Sequence, residues 1–181
     1  TGRTGNRFDD RGRSMAMGGM IADDYEDARR TALGKLLPMQ REDFKGIYKA
    51  MGDRAVTIRV LDPPRHECLP QSDEDIAALA KEMGISFETL KAKVDSLHEF
   101  NPMLGHRGCR LSITYPEIAE MQTRAGIEAA IEVSAETGKA VVPEIMIPLV
   151  GDGEELEDDK KGVLGSAGSA KEEKGQKQEY R

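Results

Sequence analysis

Tryptophan is absent and aromatic residues make up only 4% of the 181 residues, so large rings cannot dominate the core. Cysteine is scarce as well. Cys68 and Cys109 are too few for a disulfide framework, and a reducing compartment is the simpler expectation. No apolar run reaches the roughly 18 residues that a membrane helix requires, which argues against a spanning segment. Positive charge is in the minority too. Lys and Arg number 26 against 33 Asp and Glu, a net charge of −7, so there is no overall basic footprint for nucleic acid. An anionic ligand would have to be met by arginines concentrated locally. The first residue is Thr1 rather than Met, which reads as a fragment or a processed product.

What is present suffices for one domain with a real core: 38% of the residues are hydrophobic, though 33% are charged. Val56, Ile58 and Val60 alternate with Thr57, Arg59 and Leu61, the period-2 pattern of a half-buried strand. Asp62-Pro63-Pro64 stops it, because proline has no N–H to donate. Arg59 near the end of such a strand is well suited to grip a phosphate or carboxylate. It is equally suited to pair with a structural carboxylate.

Residues 1–14 have little apolar content and read as loop. A helix is expected over 23–37, with Asp23 or Asp24 as its cap and Tyr25, Ala28, Ala32, Leu33 and Leu36 on one face. Pro38 should open a second helix carrying Phe44, Ile47, Tyr48 and Met51. Beyond Pro70, Ser72 and Ser86 are candidate caps of a helical hairpin. Ile76, Leu79, Ala80 and Met83 would face inward from its first arm, and Phe87, Leu90, Val94 and Leu97 from its second. Residues 115–137 give the longest helical signal, ending at Gly138, and 141–150 suit a parallel strand buried on both faces. From Asp152 onward an acidic block is followed by Gly, Ser, Ala, Lys and Glu. With no periodic apolar face to bury, 152–181 is expected to be a disordered tail.

Several stretches together resemble pyruvate, phosphate dikinase: LLPMQREDF, VTIRVLDPP, NPMLGHRGCRL, YPEIAEMQ and PEIMIPLVG, with the opening TGRT. The matching region is that family's phosphoenolpyruvate-binding C-terminal barrel. The resemblance implies an α/β fold, about the N-terminal half of an incomplete TIM-type (β/α)8 barrel over residues 1–151, with the helical hairpin inserted. It implies a phosphotransferase interconverting pyruvate, ATP and phosphate with phosphoenolpyruvate, AMP and pyrophosphate through a phosphohistidine. In this chain the implied substrate-binding residues are Arg59, Arg3 and Arg107. Arg3-Thr4 fits the start of an R-T-E-H-M-F-like pattern, and Gly5-Asn6-Arg7-Phe8 departs from the rest.

Other implied parts are missing. There is no M-I-E-like metal strand and no G-T-N-D-L-T-like loop. The catalytic C-G-E-H-G-G-like motif is absent too, and Cys109 lies in a different motif. His66, His98 and His106 lack a T-S-H-A-like context. Glu144 lies in a stretch that matches an earlier family strand and is not assigned as the metal ligand. Magnesium is implied with its ligands outside this chain, and the chain is expected to be inactive alone. The implied partners are phosphoenolpyruvate or pyruvate and the remaining domains of a parent enzyme, itself a homo-oligomer, in a soluble cytoplasmic or plastid-like compartment. No catalytic residue is assigned. Phosphoenolpyruvate synthase and phosphotransferase-system enzyme I share the barrel and are alternatives. So is a non-catalytic, degenerate barrel fragment serving as an interaction protein.

Overall fold

The computed structural model describes residues 2–3, 11–22, 26–61, 69–70, 72–98, 101 and 105–174. Expectations for Asp23, Asp24 and Tyr25, for most of the loop LDPPRHECLP, including His66 and Cys68, and for GNRFDD lie outside these residues. The fold is mixed α/β and mostly helical, with a small parallel sheet. The chain divides into two compact units. One comprises Thr1–Asn6, Leu37–Asp62 and Gly108–Arg181, and the other Arg7–Leu36 and Pro63–Arg107.

The first unit holds the sheet. Strands β1 (Gly2–Arg3), β2 (Val56–Arg59) and β3 (Pro143–Met146) are parallel and lie in that order. β2 buries Val56 and Ile58, as the alternation requires, and leaves Thr57 and Arg59 half-exposed. Pro143 stands first in β3, where a missing N–H costs no ladder bond. Helix α6 (Pro116–Thr137) covers the Val56–Ile58 face. It carries proline at its first turn and ends at Gly138 in the left-handed region, φ 69°. Its packing stripe is small, with Ala125, Ala129, Ala130 and Val133 meeting Phe44, Tyr48, Val56 and Ile58. Tyr48 donates its hydroxyl to the Gly126 carbonyl at 3.2 Å. A Cβ added at Gly126 would stand 3.3 Å from the Ile58 side chain, so glycine sets this close approach.

Phe44 and Tyr48 belong to α2 (Glu26–Met51). The two helices expected here are one, continuous through Pro38. Pro38 cannot bond the Gly34 carbonyl, but both residues are exposed, so water can serve that oxygen. A charge ladder joins α2 to α6: Arg41 to Glu128 at 2.9 Å, Lys45 to Glu132 at 3.0 Å and Lys49 to Glu136 at 2.5 Å.

The second unit contains α1 (Arg11–Ala22), α3 (Asp73–Met83) and α4 (Phe87–Ser96). The hairpin of α3 and α4 forms as expected. Ser72 and Ser86 each accept from a backbone N–H three residues on, and Gly84 is left-handed at φ 70°. Ile76, Leu79, Ala80 and Leu90 are buried. Residues 1–14 are not all loop, since they supply β1 and the start of α1. The helix escapes a periodicity search because Gly18 and Gly19 interrupt its apolar residues. Gly18 packs so tightly that a Cβ there would fall 2.7 Å from Leu79 Cδ2.

Of the stretch 152–181 expected to be a disordered tail, 175–181 lie outside the described residues, and Gly153–Lys174 form helix α7, which packs on α6 and on α5 (Cys109–Thr114). Asp152 caps it by accepting from the N–H groups of Glu154 and Glu155, and Glu155 accepts from Gly151 N–H at 2.8 Å. Its buried face is Val163, Ala167 and Ala170, with the two alanines against Ile127 and Ile131. Alanine and glycine let the helices approach closely, so close packing replaces large side chains.

Two substitutions test this packing by urea denaturation. Ala167→Leu forces extra volume into the α6–α7 contact and should cost about 1–3 kcal/mol. Gly165→Ala, at an exposed helical position with nothing within 4 Å of an added Cβ, should stabilise by about 0.5–1 kcal/mol.

Candidate site at the carboxyl end of the sheet

The pleat of β2 and β3 sorts their side chains onto two faces. Val56 pairs with Pro143 and Ile58 with Ile145 in register, and Ile58, Pro143 and Ile145 line one small apolar cavity with Gln122, Thr123, Gly126 and Ile127 of α6. The opposite face therefore carries Thr57, Arg59, Glu144 and Met146. Thr57 donates its hydroxyl to Glu144 Oε2 at 2.7 Å. Arg59 stands one row further towards the carboxyl end, beside Met146 on β3 and, across the other edge, in register with Arg3 on β1. Two of the three sequence-expected arginines are thus neighbours on adjacent strands. The scaffold that Arg3 lacks in the local sequence is supplied by backbone pairing to β2.

The chain just past Arg59 is held firmly. Val60 donates its N–H to the Met146 carbonyl at 3.1 Å, and Leu61 donates to Gln122 Oε1 at 2.8 Å. Gln122 is buried on α6. It escapes sequence analysis, because its partner is a backbone group 61 positions away and no local pattern marks it. Beyond β3, the Pro148 carbonyl accepts from Cys109 N–H at 3.0 Å, which occupies an otherwise orphaned donor at the start of α5. Leu149 follows with φ 62°, a left-handed conformation uncommon for a bulky residue.

Arg107 is half-buried and belongs to the other unit, immediately before Gly108, whose φ is 59°. Cys109 is buried, as expected of a small core residue. Burial, with Asp159 and Glu155 nearby, pushes its thiol up to about 12, so it is not a thiolate at neutral pH. Asp159 of α7 is buried too, and its Oδ2 has no hydrogen-bond partner among the described residues. Burial chiefly raises its carboxyl above the ordinary value, and Glu155 and Asp158 add to this. Among the described residues no three His, Cys, Asp or Glu side chains converge to hold a metal, and no helix is long and apolar enough to cross a membrane.

Residues 14–180 match the family described as PEP-utilising enzyme, PEP-binding domain, where PEP is phosphoenolpyruvate. The chain is 54% identical over 178 residues to the pyruvate, phosphate dikinase of Clostridium symbiosum, an alignment covering 98% of this chain and 20% of that protein. It is 54% identical over 173 residues to the enzyme of that name from Rhizobium meliloti strain 1021, covering 92% of this chain and 19% of that one. The chloroplastic pyruvate, phosphate dikinase of Flaveria trinervia is 45% identical over 171 residues, covering 93% and 18%. The chain thus spans about a fifth of the length of these curated relatives. The match runs well beyond residue 151, in keeping with an ordered α7.

Gln122→Leu should leave the buried Leu61 N–H unpaired and lower unfolding stability by about 1–3 kcal/mol in a urea titration. Asp159 gives a pH prediction. A carboxyl whose folded pKa is raised favours folding below its unfolded value near 3.8, and that contribution is lost as pH rises through the folded value. Asp159→Asn should therefore be more stable than the parent chain at neutral pH. Thermal melts should show the advantage shrinking as pH falls towards 3.8.

Proposed function

The chain belongs to the PEP-utilising enzymes through their PEP-binding domain, and from this we propose that it is the phosphoenolpyruvate- and pyruvate-binding segment of a pyruvate, phosphate dikinase. The observation that carries the reading is the pairing of Arg59 with Arg3 at the carboxyl end of a parallel sheet. In open and closed α/β sheets alike, ligands bind beyond the carboxyl ends of the strands. A guanidinium can grip a phosphoryl group or a carboxylate through two parallel hydrogen bonds, and phosphoryl transfer depends largely on such positioning and charge neutralisation.

Arg59 is assigned to the transferring phosphoryl group, Arg3 to the same anionic substrate, and Arg107 to a supporting role. Magnesium would stabilise the developing enolate in such a reaction. No metal-binding set occurs among the described residues, so no step is assigned to the metal here. The parallel order β1-β2-β3, with helices in the connections, supports one arc of a (β/α)8 barrel, the rest supplied by further chain of a parent enzyme. The remaining domains would bring the nucleotide and the phosphohistidine.

The alternative of a degenerate fragment kept as an interaction protein rests on the acidic stretch after Asp152, which is helical, and on GNRFDD, which lies outside the described residues.

The test is a thermal melt of the chain with and without phosphoenolpyruvate and magnesium. A ligand that binds only the folded form raises the melting temperature by mass action. Arg59→Ala should weaken phosphoenolpyruvate binding by about 10- to 100-fold, the scale of a lost charge-assisted contact of about 1.5–3 kcal/mol. A melt that phosphoenolpyruvate shifts equally in both proteins would remove Arg59 from the site.

A further inference from the structure

α7 is seated unevenly. Its second half buries Val163, Ala167 and Ala170, whereas over residues 153–162 the one buried residue is Asp159. A carboxyl group thus stands where the first half of a covering helix would carry its apolar anchor. It lies against the thiol of Cys109, at the start of α5. That thiol has a single proton to give, and it also faces the Glu155 carbonyl at 4.0 Å. Asp159 Oδ2 has no hydrogen-bond partner among the described residues. The neighbouring carboxylates are engaged elsewhere, Glu155 with Gly151 N–H at 2.8 Å and Asp158 with Lys161 at 3.0 Å. Both add negative charge beside Asp159. From α5, Arg110 acts on Cys109, and the α6 residues that meet the buried face of α7, Ile127 and Ile131, are uncharged.

An ionised carboxylate in this setting bears the cost of leaving water with one weak thiol donor to offset it. Two escapes exist. The group can take a proton, or the segment that carries it can open to water. Segments with few buried apolar contacts open most readily, and 153–162 is such a segment.

We propose that Asp159 makes the seating of the first half of α7 a proton-linked switch. With the carboxyl protonated, residues 153–162 stay packed on α5. With it ionised they open locally, while the sheet, α6 and the second half of α7 stay folded. Glu155 leaves with the segment, so its tie to Gly151 is lost and the turn after β3 loosens at the carboxyl end of the sheet. The switch does not depend on the assignment of Arg59. Its direction follows from the burial of the carboxyl, which raises it above its ordinary value near 3.8. Seating is therefore favoured by acid and weakens as pH rises from the ordinary value to the raised one. Between those two values the opening constant should grow by about tenfold per pH unit.

The experiment is hydrogen–deuterium exchange of the full chain and of its Asp159→Asn and Cys109→Ala variants, followed by mass spectrometry. Protection, corrected for intrinsic exchange, is measured from about pH 4 to about pH 8. In the parent chain, protection over 153–162 should fall with pH by up to about tenfold per unit and then level off. In Asp159→Asn it should be flat, and residues 116–137 should keep their protection in both proteins. Cys109→Ala removes the donor that favours the ionised form, so its fall should continue to higher pH. Flat protection over 153–162 in the parent chain, or the same fall in Asp159→Asn, overturns the proposal. So does loss of protection over 116–137 in step with α7, which marks global unfolding, and so does a fall in Cys109→Ala that levels off at the parent's pH or below.

Discussion

β2 is paired on both sides, to β1 over Ile58 and Arg59 and to β3 along its whole length, and this pairing fixes its backbone. Its four side chains are then committed to faces by the pleat, and the commitment decides everything downstream. Val56 and Ile58 must be covered, and α6 covers them. Thr57 and Arg59 must lie on the far side, where both are half-exposed. A slip of one residue in this ladder would bury the guanidinium against α6 and expose two β-branched residues, so the register that makes the core also fixes the face on which Arg59 stands.

Small residues set how closely the covering layer approaches. Gly126, Ala129 and Ala130 bring α6 onto the sheet, and Ala167 and Ala170 bring α7 onto α6. Close approach has a cost in tolerance. A layer built on methyl groups and bare backbone gains its stability from contact density, and added volume has nowhere to go. The buried polar atoms follow the same economy, since Gln122 reaches the Leu61 N–H only because the helix is near enough for one amide to span the gap.

Much of this was legible in the residues. The alternation in VTIR gave β2 its faces, and Ser72, Gly84 and Ser86 marked the hairpin because caps act locally. Gly138 closed α6 for the same reason. What escaped was non-local or built from weak letters. α7 hides because its inward residues are Val163, Ala167 and Ala170, which carry little hydrophobic signal. α1 hides behind Gly18 and Gly19, and Pro38 suggested a helix start where one helix runs on. At the site, Arg59 was visible as an arginine ending a strand. Its partnership with Arg3 was carried only by resemblance, because local spacing says nothing of which strands pair. Gln122 and the Thr57–Glu144 contact depend on positions 61 and 87 residues apart, and no local pattern encodes them.

The charge ladder between α2 and α6 repeats every fourth residue on both helices, and such a rack has the same teeth at every step. Arg41 already lies 3.9 Å from Glu132, and Lys45 3.8 Å from Glu136, the carboxylates of the next step along. Sliding α2 by one turn would exchange most pairs for equivalent ones and forfeit a single rung at the end. Electrostatics alone is therefore nearly indifferent to where the helices stop. The choice falls to an uncharged latch. The Tyr48 hydroxyl finds a carbonyl only at Gly126, the one place where the missing side chain lets a phenol reach the backbone. A chain with many ion pairs thus takes its alignment from uncharged contacts, this hydrogen bond and the packing of Phe44 and Tyr48 on α6, and its charges follow.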